Sequence, residues 1–297
     1  MRAVHRTRHT QALATILLAP LCVGACAISQ QQEVALGASS AAQVSRELPL
    51  VHDALVTQYI TTLGRQLAAA TDTRGLTWTF TVVDTKEVNA FALPGGWIYV
   101  NRGLIERAGT MSELAGVLAH EIGHVTRRHS VRQLQQLQGA NLGVGLLCTL
   151  TRSCQTSVGT QAINIGGSAL FAKFSREDEL EADGEAVTTT VNAGISPRGI
   201  PGMFRVLLSE RQRTPDAVAA FFSTHPLEER RIREAEARIT TYPAAKLNQL
   251  TMDTPAFRAF RARLHAMPLR ASDRTSASRP TSDPRAWHGS ADHSPRW

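Results

Sequence analysis

The feature that most constrains this chain is the run Ala119-His120-Glu121-Ile122-Gly123-His124-Val125. Two histidines four apart act together only on a helix, where one turn sets both imidazoles on one face, within reach of a single ion at roughly 2.0–2.1 Å. Glu121 can then face the ion's open position and take a proton from water there. The flanking residues support such a helix. Thr110 and Glu113 have the capping-box spacing, and Leu114, Val117, Leu118, Ile122 and Val125 carry an apolar face onward toward Leu137.

A site of this kind needs a third protein ligand. His129 does not provide it. In the extended spacing of such sites a third histidine falls at Ser130 and a glycine at Arg127, and on a continuous helix His129 lies about half a turn from the His120 face. His129 is therefore expected to be solvated or structural. The other source is the acidic run Glu177, Asp178, Glu179, Glu181, Asp183 and Glu185. Chemistry alone does not choose among these, and any of them can be surface charge. Glu179 with Asp183 is one suitable pair: four apart on a helix, one carboxylate can bind the ion while the other orients a histidine ligand. Two histidines, one carboxylate and a water form a catalytic rather than a closed structural set.

The 297 residues suit one domain of about 200 residues with loose ends. Residues 1–25 have the arginines, the short apolar run and the small residues of a secretory signal, too short to span a membrane stably. Val23-Gly24-Ala25-Cys26 resembles a lipobox, in which Cys26 becomes the lipidated first residue; ordinary cleavage nearby is the alternative. Ala27 after it points, by resemblance to such lipoproteins, to the outer membrane of a Gram-negative bacterium, facing the periplasm. Much of the formal charge of +7 sits at the ends. Arg2, Arg6 and Arg8 precede Cys26 without an acid, and Arg270, Arg274, Arg279, Arg285 and Arg296 outnumber Asp273, Asp283 and Asp292. That distribution lacks the basic stripe of a nucleic-acid binder, so no nucleic-acid partner is expected. Cys148 and Cys154 could pair only if a turn separates them, since six residues of helix put their Cα atoms about 9 Å apart. Two buried free thiols are the alternative.

Residues 26–50 read as a linker, 51–245 as the principal domain, 246–267 as a C-terminal helix and 268–297 as a disordered tail. Within the domain, Val51, Leu55, Tyr59, Leu63 and Leu67 mark an amphipathic helix, and Leu76, Trp78, Phe80 and Val82 alternate as in a half-buried strand. Gly95-Gly96 turns a hairpin whose second arm is Trp97, Ile98, Tyr99 and Val100. This arm is expected to offer a strand edge to an extended peptide, the alternative being an interior strand packed through Trp97 and Tyr99. Residues 133–172 carry one charge, Arg152, but their glycines leave no apolar run of about 18 residues, so a spanning helix is not expected. The segment reads as a helical hairpin or a lid lying on the domain, and whether it gates the site is left open by the sequence. Pro226 is placed at the first position of a helix through Ile239.

Three ordered stretches, SELAGVLAHEIGHVTRRH, FSREDELEAD and STHPLEERRI, resemble the gluzincin metallopeptidases related to CAAX-prenyl endopeptidases. The similarity is strongest to their soluble branch, which includes the mitochondrial Oma-type protease and periplasmic lipoproteins of outer-membrane quality control. It spans residues 50 to 240. The resemblance implies an α+β, mainly helical, zincin-like domain with a small β-sheet and an active-site helix. It implies one Zn2+ per chain held by His120, His124 and Glu179, with Glu121 as general base and Asp183 behind a histidine ligand. His225, before Pro226, matches the family's HP loop; such a histidine can donate to a developing oxyanion, close the site as a fourth ligand, or simply pack in its loop. Arg231 can hold that loop, bind a substrate carbonyl, or be one exposed charge among several. The chain departs from the membrane-embedded members in having no spanning helix, and from some periplasmic ones in having no C-terminal helical repeat. By resemblance the expected activity is endopeptidase action on misfolded or unassembled envelope proteins, with outer-membrane assembly machinery as a partner and a lipid anchor in the membrane. The rival is a metal-containing chaperone or assembly factor that holds clients with little proteolysis; an intact Glu121 favours the enzyme.

Overall fold

The computed structural model describes residues 28–137, 173–227 and 229–269. The signal segment, Cys26, Cys148, Cys154, nearly all of 133–172 and the tail from residue 270 lie outside the described residues. The elements are α1 (Gln30–Glu47), α2 (Ala54–Ala69), β1 (Thr79–Val83), β2 (Ala90–Leu93), β3 (Trp97–Asn101), α3 (Arg102–Arg107), α4 (Met111–Thr126), α5 (Arg176–Asn192), α6 (Gly199–Arg213), α7 (Pro215–Thr224), α8 (Glu229–Ile239), α9 (Ala244–Leu247) and α10 (Pro255–Ala266). Residues 129–137 are also helical. The fold is thus mainly helical with one small sheet, as expected.

Strand alternation gives the sheet two buried faces. Phe80, Val82, Ile98 and Val100 point into the main core with Val56, Ile60, Leu118 and Ile122. Val83, Leu93 and Tyr99 point the other way, where Trp97 and Phe91 pack with them against Ala41 and Val44 of α1. The strand order is β1-β3-β2, with β3 parallel to β1 and antiparallel to β2. Gly95 and Gly96 close the hairpin at φ 81° and 111°, a region that strains any residue with a Cβ.

This topology corrects the edge-strand expectation for Trp97, Ile98, Tyr99 and Val100. β3 is central, so both sides of its backbone are engaged in ladders, and its side chains pack inward. Residues 26–50 are likewise no plain linker. Ser29 and Gln32 form a capping box at the start of α1, whose Glu33, Gly37, Ala41 and Val44 are buried. The helix sits close because Gly37 has no side chain: a Cβ there would lie 1.8 Å from the Pro94 carbonyl oxygen and 2.7 Å from the Trp97 ring.

The main core runs through α2, α4, α5, α6 and α10. Phe260 of α10 stacks on Tyr59 of α2 at 4.4 Å, so residues 246–267 share this core rather than forming a separate appendage. Two helix limits also differ from expectation. α8 begins at Glu229, leaving Pro226 in the preceding loop. α4 does not run on to Leu137: it ends at Thr126, and Arg128 takes a left-handed φ of 58° before helix resumes. The cause is tertiary. The Arg128 guanidinium donates to Glu33 at 2.8 Å and to the Ile28 carbonyl, while Arg74 donates to the same Glu33 oxygen at 3.0 Å. Among the described residues no helix is long and apolar enough to cross a membrane.

If the close seat of α1 holds the outer face of the sheet, Gly37→Val should destabilise the protein by about 1–3 kcal/mol through overpacking. Ala38→Val on the exposed face of α1 should shift the urea midpoint little. Equal midpoints for the two variants would refute the packing described for α1.

Candidate metal centre

α4 is placed by its first turn. The Thr110 hydroxyl accepts from the Glu113 N–H at 3.4 Å, and the Glu113 carboxylate accepts from the N–H groups of Gly109 and Thr110. From this start His120 and His124 fall on the face that meets α5. The two helices cross at Gly123, where a Cβ would stand 3.1 Å from the Ala182 carbonyl oxygen. That close crossing lets Glu179 and Asp183, one turn apart on α5, reach the two histidines.

Four side chains converge. His120 Nε2 and His124 Nε2 are 3.0 Å apart, and Glu179 Oε1 lies 3.4 Å from His124 Nε2 while Oε2 lies 3.6 Å from His120 Nε2. His225, at the end of α7, brings Nδ1 to 3.1 Å from Glu179 Oε1 and 3.4 Å from His120 Nε2. Donors at about 2.0–2.1 Å around a tetrahedral ion are roughly 3.4 Å from one another, so the observed spacings are those such an ion would impose. All four residues are buried. Glu121 is buried as well, and both its carboxylate oxygens lack a hydrogen-bond partner among the described residues. A buried carboxylate in that position calls for a cation, a water or a substrate group beside it. The residues present therefore fit a metal ion.

Behind the donors lies a buried charge cluster. Asp183 Oδ1 is 2.9 Å from His120 Nδ1, which orients that ring so that Nε2 faces the centre. Arg231 clamps Asp183 from α8 with two hydrogen bonds of 2.7 Å, donates to the Pro226 carbonyl at 3.0 Å, and pairs with Glu179. Its guanidinium also lies over the Phe204 ring at 4.7 Å. Burial pushes the Asp183 carboxyl up, but Arg231 more than offsets this and holds it below the usual range. Burial likewise opposes ionisation of Glu179, yet His225 and Arg231 beside it hold its carboxyl well below the usual range.

The sequence readings of Glu179, Asp183, His120, His124 and Glu121 thus meet at one place. His225 is there too, in the position of a fourth donor. Arg231 meets the loop-holding reading through its bond to the Pro226 carbonyl, but the substrate-carbonyl and exposed-charge readings are corrected: it is buried with its donors committed to Asp183, Glu179 and the HP loop. Of the two readings of His129, the structural one holds and the solvated one does not. It lies outside the set His120, His124, Glu179 and His225, it is 1% exposed, and its Nδ1 lies 2.7 Å from His124 Nδ1. Nothing local could have revealed this, because it depends on the left-handed turn at Arg128. Phe174, also unanticipated, covers the centre by stacking on His124 at 4.0 Å.

A helix bearing His-Glu-x-x-His, completed by a carboxylate from a second helix, is the metal centre of those HExxH metallopeptidases whose third protein ligand is a carboxylate. Comparison with known proteins agrees: residues 54–239 match the model of Peptidase family M48, and the chain belongs to that family. It is 32% identical over 217 residues to the Beta-barrel assembly-enhancing protease of Yersinia pestis, covering 71% of this chain and 44% of that protein. To the Putative beta-barrel assembly-enhancing protease of Vibrio cholerae it is 30% identical over 233 residues, 76% of this chain and 48% of the other. The Mitochondrial metalloendopeptidase OMA1 of Schizosaccharomyces pombe is 28% identical over 208 residues, 70% of this chain and 59% of its own length. The chain thus spans a little under half the length of the two bacterial relatives.

Arg231→Met should leave Asp183 and Glu179 buried without their guanidinium partner, at a cost of about 3–5 kcal/mol in urea unfolding of the metal-free protein. Arg231→Lys should recover only part of this, since an ammonium cannot clamp a carboxylate with two parallel bonds. Full stability of Arg231→Met would rule out the clamp.

Proposed function

We propose that the chain is a zinc-dependent endopeptidase acting on misfolded or unassembled envelope proteins, tethered through Cys26 to the periplasmic face of the outer membrane. The observation that carries the hydrolytic part is the buried Glu121 carboxylate, whose oxygens accept no hydrogen bond among the described residues, beside three donors of HExxH type. The envelope setting is supported by the names of the bacterial relatives and by the lipobox-like Val23 to Cys26.

His120, His124 and Glu179 would hold the zinc ion, which when bound supplies Lewis acidity toward water and toward a peptide carbonyl. Glu121 takes the proton from the attacking water and passes it to the departing amine. Asp183, held by Arg231, keeps the His120 ring in register. His225 Nε2 lies 3.5 Å from Glu121 Oε1, so the same ring that reaches the donors also touches the base. His225 Nδ1 stands in the fourth donor position, which in a catalytic site belongs to water or substrate, so on this reading the HP loop shifts to admit a peptide. This closed arrangement favours, as the second reading, a client-holding protein with little proteolysis.

For the peptide itself we assign the outer edge of β2. The Asn101 N–H donates to the Asn89 carbonyl, so in this antiparallel ladder Phe91 and Leu93 face β3 while Ala90 and Ala92 turn their backbone groups outward. The Ala90 N–H is taken by the Asn89 side chain, leaving Ala92 as the free donor among the described residues. An extended segment could add there through backbone bonds with little demand on its sequence.

With purified mature protein and casein, Glu121→Gln should lower cleavage by about a hundredfold or more while zinc content stays at the wild-type level. Casein held soluble by zinc-loaded wild type, with no cleavage, would instead support the client-holding reading. Ala92→Pro removes an outward N–H without removing a ladder bond, so it should raise KM for casein with little change in kcat. An unchanged KM would place the peptide elsewhere.

A further inference from the structure

We infer that His129 is a positioning residue, which fixes the tautomer of His124 through a histidine–histidine–glutamate relay so that the His124 Nε2 lone pair points at the metal. The inference rests on the reading of His124 as a metal ligand and adds to it a residue outside the donor set.

The relay follows from the proton inventory of each group. His129 Nε2 lies 3.1 Å from Glu181 Oε2, and a carboxylate only accepts, so this nitrogen carries the proton. A neutral imidazole has one N–H, which leaves His129 Nδ1 as an acceptor. Its partner at 2.7 Å, His124 Nδ1, must therefore donate. With its proton on Nδ1, His124 has its lone pair on Nε2, the atom 3.0 Å from His120 Nε2 and 3.4 Å from Glu179 Oε1. The reverse assignment would aim the His129 lone pair at a carboxylate. For a neutral His129, the form its burial favours, every contact in the chain is satisfied in one direction only.

The surroundings hold the relay in place. Arg132 donates to Glu181 Oε2 at 2.9 Å and to Asp178 Oδ1 at 2.7 Å, which fixes the terminal carboxylate. With Arg132 already paired to both acids, Asp178 and Glu181 act as the terminus of the relay. His129 can return to His124, five residues earlier, only because Arg128 adopts φ 58°, and that turn is clamped by Glu33 of α1. Phe174 covers the rings, 4.0 Å from His124 and 6.1 Å from His129.

The test uses the full chain. Zinc affinity, by competition with a chromophoric chelator at fixed pH, is compared among wild type, His129→Asn and His129→Leu. The Asn side chain keeps an acceptor near Nδ1, whereas Leu keeps none. Leu is expected to weaken zinc binding about 10–100-fold and Asn to restore most of it. Should His129→Leu fail to fold, the partly exposed Glu181 carries the test: Glu181→Ala should weaken binding and Glu181→Gln, which still accepts, should not. Nitrogen-15 NMR of the zinc-loaded wild type should show His129 as the Nε2–H tautomer. A Leu variant that binds zinc like wild type, an Asn variant as weak as a folded Leu variant, or the Nδ1–H tautomer would each overturn the inference. Failure of wild type itself to bind zinc would instead overturn the metal assignment on which it rests.

Discussion

At Gly123 the α4 backbone comes so near α5 that a Cβ would stand 3.1 Å from the Ala182 carbonyl oxygen and 3.2 Å from its Cα. This approach sets the separation of the two helices, and the separation decides whether a short carboxylate on α5 can reach histidines on α4. Glu179, one turn before Ala182, then lies level with the pair His120 and His124. The glycine inside the His-Glu-x-x-His run thus contributes to the centre by letting its ligands meet. Gly116, two turns earlier on nearly the same face of α4, allows a like approach to α6, where a Cβ would stand 2.8 Å from Ile200. Close contact at two levels of that face leaves α4 little freedom to rotate or slide, and ligand geometry follows from helix position.

Packing alone would not keep so many charges buried. Glu121, Glu179 and Asp183 lie within one buried cluster with Arg231, and isolated ions in such a place are costly. Arg231 reduces that cost by serving both α5 carboxylates and the Pro226 carbonyl at once. It thereby joins the HP loop to α5, so the position of His225 depends on the same guanidinium that orients Asp183. The backbone bond from the Phe174 N–H to the Thr224 carbonyl ties that loop to the start of α5 from the other side.

Much of this was legible where the determining interactions are local. The capping box at Thr110, the hairpin at Gly95-Gly96 and the four-residue spacing of His120 and His124 all act within one turn. The choice of Glu179 came from resemblance, because six acids in one run look alike until a second helix is placed beside them. What escaped was set by distant partners. α1 has few apolar residues and reads as a linker; it docks through small residues and through one buried acid, Glu33, whose partners lie 41 and 95 residues away. β3 looked like a free hairpin arm because its parallel pairing to β1 has no local signal. His129 looked misplaced on a continuous helix, and the helix proved not to be continuous.

The two histidine ligands are supported differently, and the difference has consequences. His120 is backed by Asp183 and Arg231, both buried, so its support is insulated from solvent. His124 is backed through His129 by Glu181 and Arg132, whose side chains are 34% and 44% exposed. Ions at such a boundary are screened by salt, whereas the inner pair is screened much less. The buried cluster also carries a formal excess of negative charge, since three carboxylates face one guanidinium. Burial pushes the His225 imidazole down, but Glu121 and Glu179 pull it above its ordinary value, which is one way to offset that excess. A divalent cation at the donors is the other, and because only the folded chain assembles them, its binding free energy adds to the stability of the fold. The same carboxylates that penalise the metal-free protein are therefore what tie its folding to the metal.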